Sequence, residues 1–163
     1  MLTLLGRSPS VKQAVRLVAA AVLCVAFAPS RPADPFLGTR SPALERLFTP
    51  PAVPRDLYEV YESPRSIEQL AAALRARDAA PHQGAWHVRQ IGPGDAFGAE
   101  GSYDRARLAM LVGGRRISVA RGSLRNADGT LTGFTLLSPY PDPTLSELRT
   151  GTMIIVFHVP ATR

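Results

Sequence analysis

The final strand-like run, Thr152–Val159 (TMIIVFHV), constrains the fold more than any other part of the sequence. Ile154 and Val156 fall on one side of an extended chain, and Met153, Ile155 and Phe157 on the other. A strand that is apolar on both sides must be covered on both, so this run belongs inside a sheet.

Other strands can be placed around it. Residues 116–124 alternate Ile117 and Val119 with Arg116, Ser118 and Ala120, a period of two. Residues 126–129 (Asn-Ala-Asp-Gly) form a hairpin signal, because Asp-Gly tolerates left-handed turn conformations. Leu131–Ser138 is then the partner strand. Pro139, Pro141 and Pro143 take the chain out of the sheet, since proline cannot donate to a ladder. Residues 86–91 (WHVRQI) read as a strand with Trp86 and Val88 on one face. Residues 56–62 (DLYEVYE) read as another, although Leu57 breaks the parity of Tyr58 and Val60.

Two helices are expected beside the strands. Residues 66–77 carry Ser66 and Gln69 at capping-box spacing and a stripe of Ile67, Leu70, Ala71 and Leu74. Residues 102–112 begin with Ser102 as cap and Asp104 in the first turn, and stop at Gly113 and Gly114. The fold class is therefore α+β: a small antiparallel sheet or partly closed β-barrel of four to five strands, with one or two packed helices.

Residues 1–28 read as an export signal or membrane anchor. Arg7, Lys12 and Arg16 supply the positive region. The apolar run at 17–28 is twelve residues long, the length of a signal-peptide core, whereas a spanning helix needs about 20. Cleavage after Ala26 uses Cys24 and Ala26 as the small residues. Cleavage after Ala28 leaves Pro29 beyond the cut, and Leu23 is too large for a lipobox at Cys24. Residues 29–54 form a proline-rich linker; eight of the fifteen prolines fall in residues 29–65. One short helix interrupts it, with Ser41 as cap, Pro42 at the first position, and Leu44, Leu47 and Phe48 as an apolar face for the domain or a partner. Residues 55–163 form the single globular domain.

Cys24 is the only cysteine. A processed chain therefore has no disulfide, thiolate nucleophile or cysteine-bound zinc. The formal charge is +6, but Arg7, Lys12 and Arg16 contribute half of it, and +3 remains from Phe27 onward. Eighteen arginines against one lysine, with abundant alanine, fit a GC-rich coding sequence.

No nucleotide loop or Gly-x-Ser-x-Gly elbow is present, and the glycines of residues 92–101 lack dinucleotide register. No cofactor is expected. His82, His87 and His158 have no metal-ligand spacing. His87 and His158 could meet across a sheet, with Asp95, Glu100 or Asp104 as an acid, in a small periplasmic hydrolase or metal-dependent enzyme. The arginines are the better lead. Arg115, Arg116, Arg121 and Arg125 are clustered, and guanidinium holds phosphate or carboxylate with paired bonds. Alternation keeps Arg116 off the face of Arg115 and Arg121. No aromatic residue lies among them for base stacking, so nucleic acid is not the expected partner. Tyr140 reads as an exposed aromatic at the tip of a stiff loop. The leading reading is an exported bacterial envelope protein, in the periplasm or on the outer face of the inner membrane. It would be a non-enzymatic binding or scaffolding domain that meets an anionic envelope component or another envelope protein through Arg115, Arg116, Arg121 and Tyr140. A membrane-anchored accessory subunit, touching the membrane only through residues 1–28, is the other alternative.

Overall fold

A computed structural model of the chain describes residues 34–49, 52–92, 115–144 and 146–159. The segment at 1–28, the glycine loop after Gly92 and the helix expected at 102–112 lie outside these residues. The described residues all belong to one compact unit, Ala33–Arg163. Among them no helix is long and apolar enough to cross a membrane.

The fold is α+β, built on a six-stranded antiparallel sheet. In chain order the elements are β1 (Thr39–Arg40), α1 (Pro42–Phe48), a 3-10 turn (Arg55–Leu57), β2 (Tyr58–Ser63), α2 (Ile67–Arg77), β3 (Arg89–Ile91), β4 (Ile117–Arg125), β5 (Leu131–Ser138), β6 (Tyr140–Pro141), β7 (Leu148–Arg149) and β8 (Thr152–Val159). The large sheet has the order β1-β2-β8-β5-β4-β3, and β6 and β7 pair separately. The sheet is open, with β1 and β3 as its edges, and is not a barrel. It also has more strands than the four to five expected. The extra strands, β1, β6 and β7, are two residues long, too short to show a period of two.

β8 lies inside the sheet, as its two apolar sides require. It pairs with β2 through Val60↔Ile155 and with β5 through Leu136↔Ile154. One face of the sheet carries Val60, Ile117, Val119, Leu137, Met153 and Ile155 under Leu44 and Phe48 of α1. The other carries Tyr61, Ala120, Phe134, Leu136, Ile154 and Val156 under Ile67, Leu70, Ala71 and Leu74 of α2. Leu44, Phe48, Leu70 and Leu74 are fully buried. Each such side chain contributes about 1.5–3 kcal/mol by leaving water.

Local chemistry explains the element boundaries. The capping box of α2 is complete: Gln69 N–H donates to Ser66 Oγ at 3.2 Å, and Ser66 N–H donates to Gln69 Oε1 at 3.1 Å. Leu57 is out of step with β2 because it closes the 3-10 turn before the strand. α1 starts at Pro42, but Ser41 makes no side-chain cap. Instead Ser41 N–H donates to the Val60 carbonyl at 2.7 Å, and the Val60 N–H donates to Glu45 Oε1 at 3.4 Å. Together with β1 these bonds satisfy the outer edge of β2, so residues 39–48 pack as part of the domain.

The largest local departure is at Trp86, which reads as strand but lies in a turn at φ 61°. β3 begins only at Arg89. The turn sets the indole against Gly122 of β4, where an added Cβ would collide with the ring atoms. Trp86 Nε1–H donates to Asp78 Oδ2 at 2.9 Å, and the ring meets Phe134 at 5.8 Å between centroids.

Candidate binding surface

Arg121 and Arg125 have the parity of Ile117 and Val119 along β4, so all four share the α1 face. Arg89 sits opposite Val119 in the β3–β4 ladder and joins that face, diagonal to Arg121. Arg115 and Arg116 lie just before β4. Arg89, Arg115, Arg116 and Arg125 are exposed, and Arg121 is half-buried. Among the described residues no carboxylate lies within 4 Å of Arg89, Arg115 or Arg116. Arg46, Arg55, Arg65 and Arg75 are likewise exposed with no carboxylate in reach among the described residues, whereas three other arginines are paired. Arg40 binds Glu45 and faces Glu59, Arg77 faces Asp34, and Arg149 binds Glu62.

Tyr140 is not an exposed tip. It is 5% exposed, packs among the α1-face residues, and donates its hydroxyl to Glu62 Oε1 at 3.1 Å. Burial and the charge of Glu62 push the phenol up. An aromatic ring with one polar atom is well suited to close a sheet in this way. Tyr140 thus belongs with Glu62 and Arg149, and does not sit with Arg121. Arg115 and Arg116 precede β4 while Arg121 and Arg125 lie along it, and the arginine that the ladder adds between them is Arg89, opposite Val119. Only the pairing of β3 with β4 reveals that neighbour, because the two segments are far apart in sequence.

A buried ionic cluster around Glu59 was not legible as a site. Glu59 is 6% exposed and lies on the α2 face of β2. Its Oε2 accepts from Tyr61 Oη at 3.0 Å and approaches His158 Nε2 at 3.4 Å; its Oε1 lies 3.6 Å from Arg40. Burial alone would raise the Glu59 carboxyl. Hydrogen bonds from His158 and Tyr61, with the charges of His158 and Arg40, outweigh it and hold the carboxyl below its ordinary value. Burial and the same carboxylate push Tyr61 up to about 12. An ionised Glu59 can only accept, so His158 Nε2 carries the proton that faces it. Nδ1 lies 3.4 Å from the Thr132 hydroxyl. Both ring nitrogens are therefore occupied inside the fold, an arrangement suited to fixing β2, β8 and β5 together.

His87 is exposed and lies in the segment before β3. β5 and β4 separate that position from β8. Three strand spacings, about 14 Å, separate it from His158, too far for shared first-shell ligation. Among the described residues no three His, Cys, Asp or Glu side chains converge on a metal site. Comparison of the chain with protein-family models, curated proteins and solved structures finds no match.

Proposed function

We propose that the chain is an exported, non-enzymatic binding or scaffolding domain of the cell envelope. Its contact surface is the arginine row along β3 and β4, and its partner there is anionic. One observation carries this reading: Arg89, Arg115 and Arg116 are exposed along β3 and the start of β4, with no carboxylate in reach among the described residues. Planar guanidinium groups on a rigid sheet favour carboxylate or phosphate. Export rests on the positive region and apolar run at 1–28.

The test uses chain recovered from an envelope fraction. Its intact mass reports whether residues 1–28 remain. Binding to polyglutamate is then measured for the wild type and for Arg89→Glu/Arg115→Glu/Arg116→Glu. The expected result is binding that weakens with salt and falls at least tenfold in the triple variant. Equal binding by both proteins sinks the assignment of the surface, and recovery only from the cytosol sinks the assignment of the compartment.

A further inference from the structure

The arginine row borders a length of β4 that no described strand covers. β3 pairs with β4 only from Ile117 to Val119. Past that point Trp86 N–H donates to the Arg121 carbonyl at 2.6 Å. A strand residue points its N–H and C=O to the same side, and the side alternates along the strand. Ser123 and Arg125 therefore present their backbone groups outward, as Arg121 does. The Trp86 turn bounds this stretch at one end, and the turn at 126–129 bounds it at the other. It is about 10 Å long at strand rise.

The side chains around the stretch also alternate. Arg121 and Arg125 flank Ser123 on the α1 face, with Arg89 beside them. Leu124 and the Trp86 ring lie on the opposite face. A strand added here would direct every second side chain at arginine and the others at apolar surface.

We propose that the outer edge of β4 at Ser123–Arg125 binds a short extended segment of a partner protein, alternating acidic and apolar residues, as an added strand. Main-chain bonds to Ser123 and Arg125 hold the segment, and its carboxylates meet Arg89 and Arg125. This inference rests on the anionic-partner reading above and names the partner's chemistry and the way it binds.

The probe is a labelled octapeptide of alternating Glu and Val, titrated by fluorescence anisotropy against the intact chain. Ser123→Pro removes one outward N–H and leaves every charge in place; proline is tolerated where a strand N–H faces outward. The same peptide methylated on alternate backbone nitrogens makes the test without altering the protein. The expected result is binding that falls at least tenfold in Ser123→Pro, with the methylated peptide, and in Arg89→Glu/Arg125→Glu. If only the arginine reversal matters, the basic surface stands and the edge inference is overturned. If polyglutamate binds and the octapeptide does not, the edge inference again falls alone. Binding that survives all three changes overturns both readings. A wild-type dimer that Ser123→Pro converts to monomer assigns the edge to a second copy and overturns the acidic-partner inference.

Discussion

Gly122→Ala tests the packing that shapes the turn before β3. Alanine in a strand interior is ordinarily more stable than glycine by about 0.5–1 kcal/mol. Here the new Cβ would collide with atoms of the Trp86 ring, so the ring must move. Overpacking of this kind costs about 1–3 kcal/mol. Losing the indole hydrogen bond to the Asp78 carboxylate costs about 1.5–3 kcal/mol more. The net expectation is a destabilisation of about 2–5 kcal/mol, a fall of about 1–2 M in the urea midpoint. Trp86 is the only tryptophan in the chain, so its emission should shift to the red as the ring loses cover. In a Trp86→Gly background the ring is gone, and Gly122→Ala should become neutral or stabilising by about 0.5–1 kcal/mol, read by circular dichroism. An alanine single variant as stable as the wild type, with unchanged emission, would refute the reasoning.

Four further outcomes are expected. Glu59 has a folded-state pKa below its unfolded value, so its contribution is present above the unfolded value and is lost as pH falls through the folded one. Urea midpoints measured from pH 7 to pH 3 should therefore fall less steeply for Glu59→Gln than for the wild type, from a lower starting point. Tyr61 has the opposite sign at alkaline pH: its contribution is intact below about 10 and lost as pH rises through about 12, and Tyr61→Phe should flatten that part of the profile. Leu44→Ala should cost about 2–5 kcal/mol in urea unfolding, because Leu44 is wholly buried in α1. A chain beginning at Arg55 should fail to give dispersed amide resonances, since it lacks both α1 and β1.

The sequence made the elements with long, regular signals legible. β8 has two apolar sides, α2 has a capping box and a stripe, and the β4–β5 hairpin has an Asp-Gly turn. What was not legible depends on contacts between distant segments. Trp86 looks like a strand residue because its local pattern alternates, and only the Gly122 surface draws it into a turn. Residues 39–48 resemble linker because prolines surround them, yet Leu44 and Phe48 are anchored by β2. Glu59 reads as the polar side of an alternating strand, but His158, Tyr61 and Arg40 bury it. Arg115, Arg116 and Arg121 were visible as a cluster. Arg89 was visible only as one polar residue in a short strand, because its place beside Arg121 is set by the ladder. Tyr140 looked exposed because of its flanking prolines, and nothing local points to Glu62 as its partner.

The closed outer edge of β2 has a consequence for assembly. Unlimited growth of a sheet requires a donor edge on each side of every added unit. Here Ser41, Glu45 and the two-residue β1 occupy one side, which leaves the stretch beyond Trp86 as the longer opening. Two molecules joined there would each turn a finished side outward, so the process stops at a pair. On that geometry, the segment from β1 into α1 would cap the sheet at β2 and close off further strand addition there.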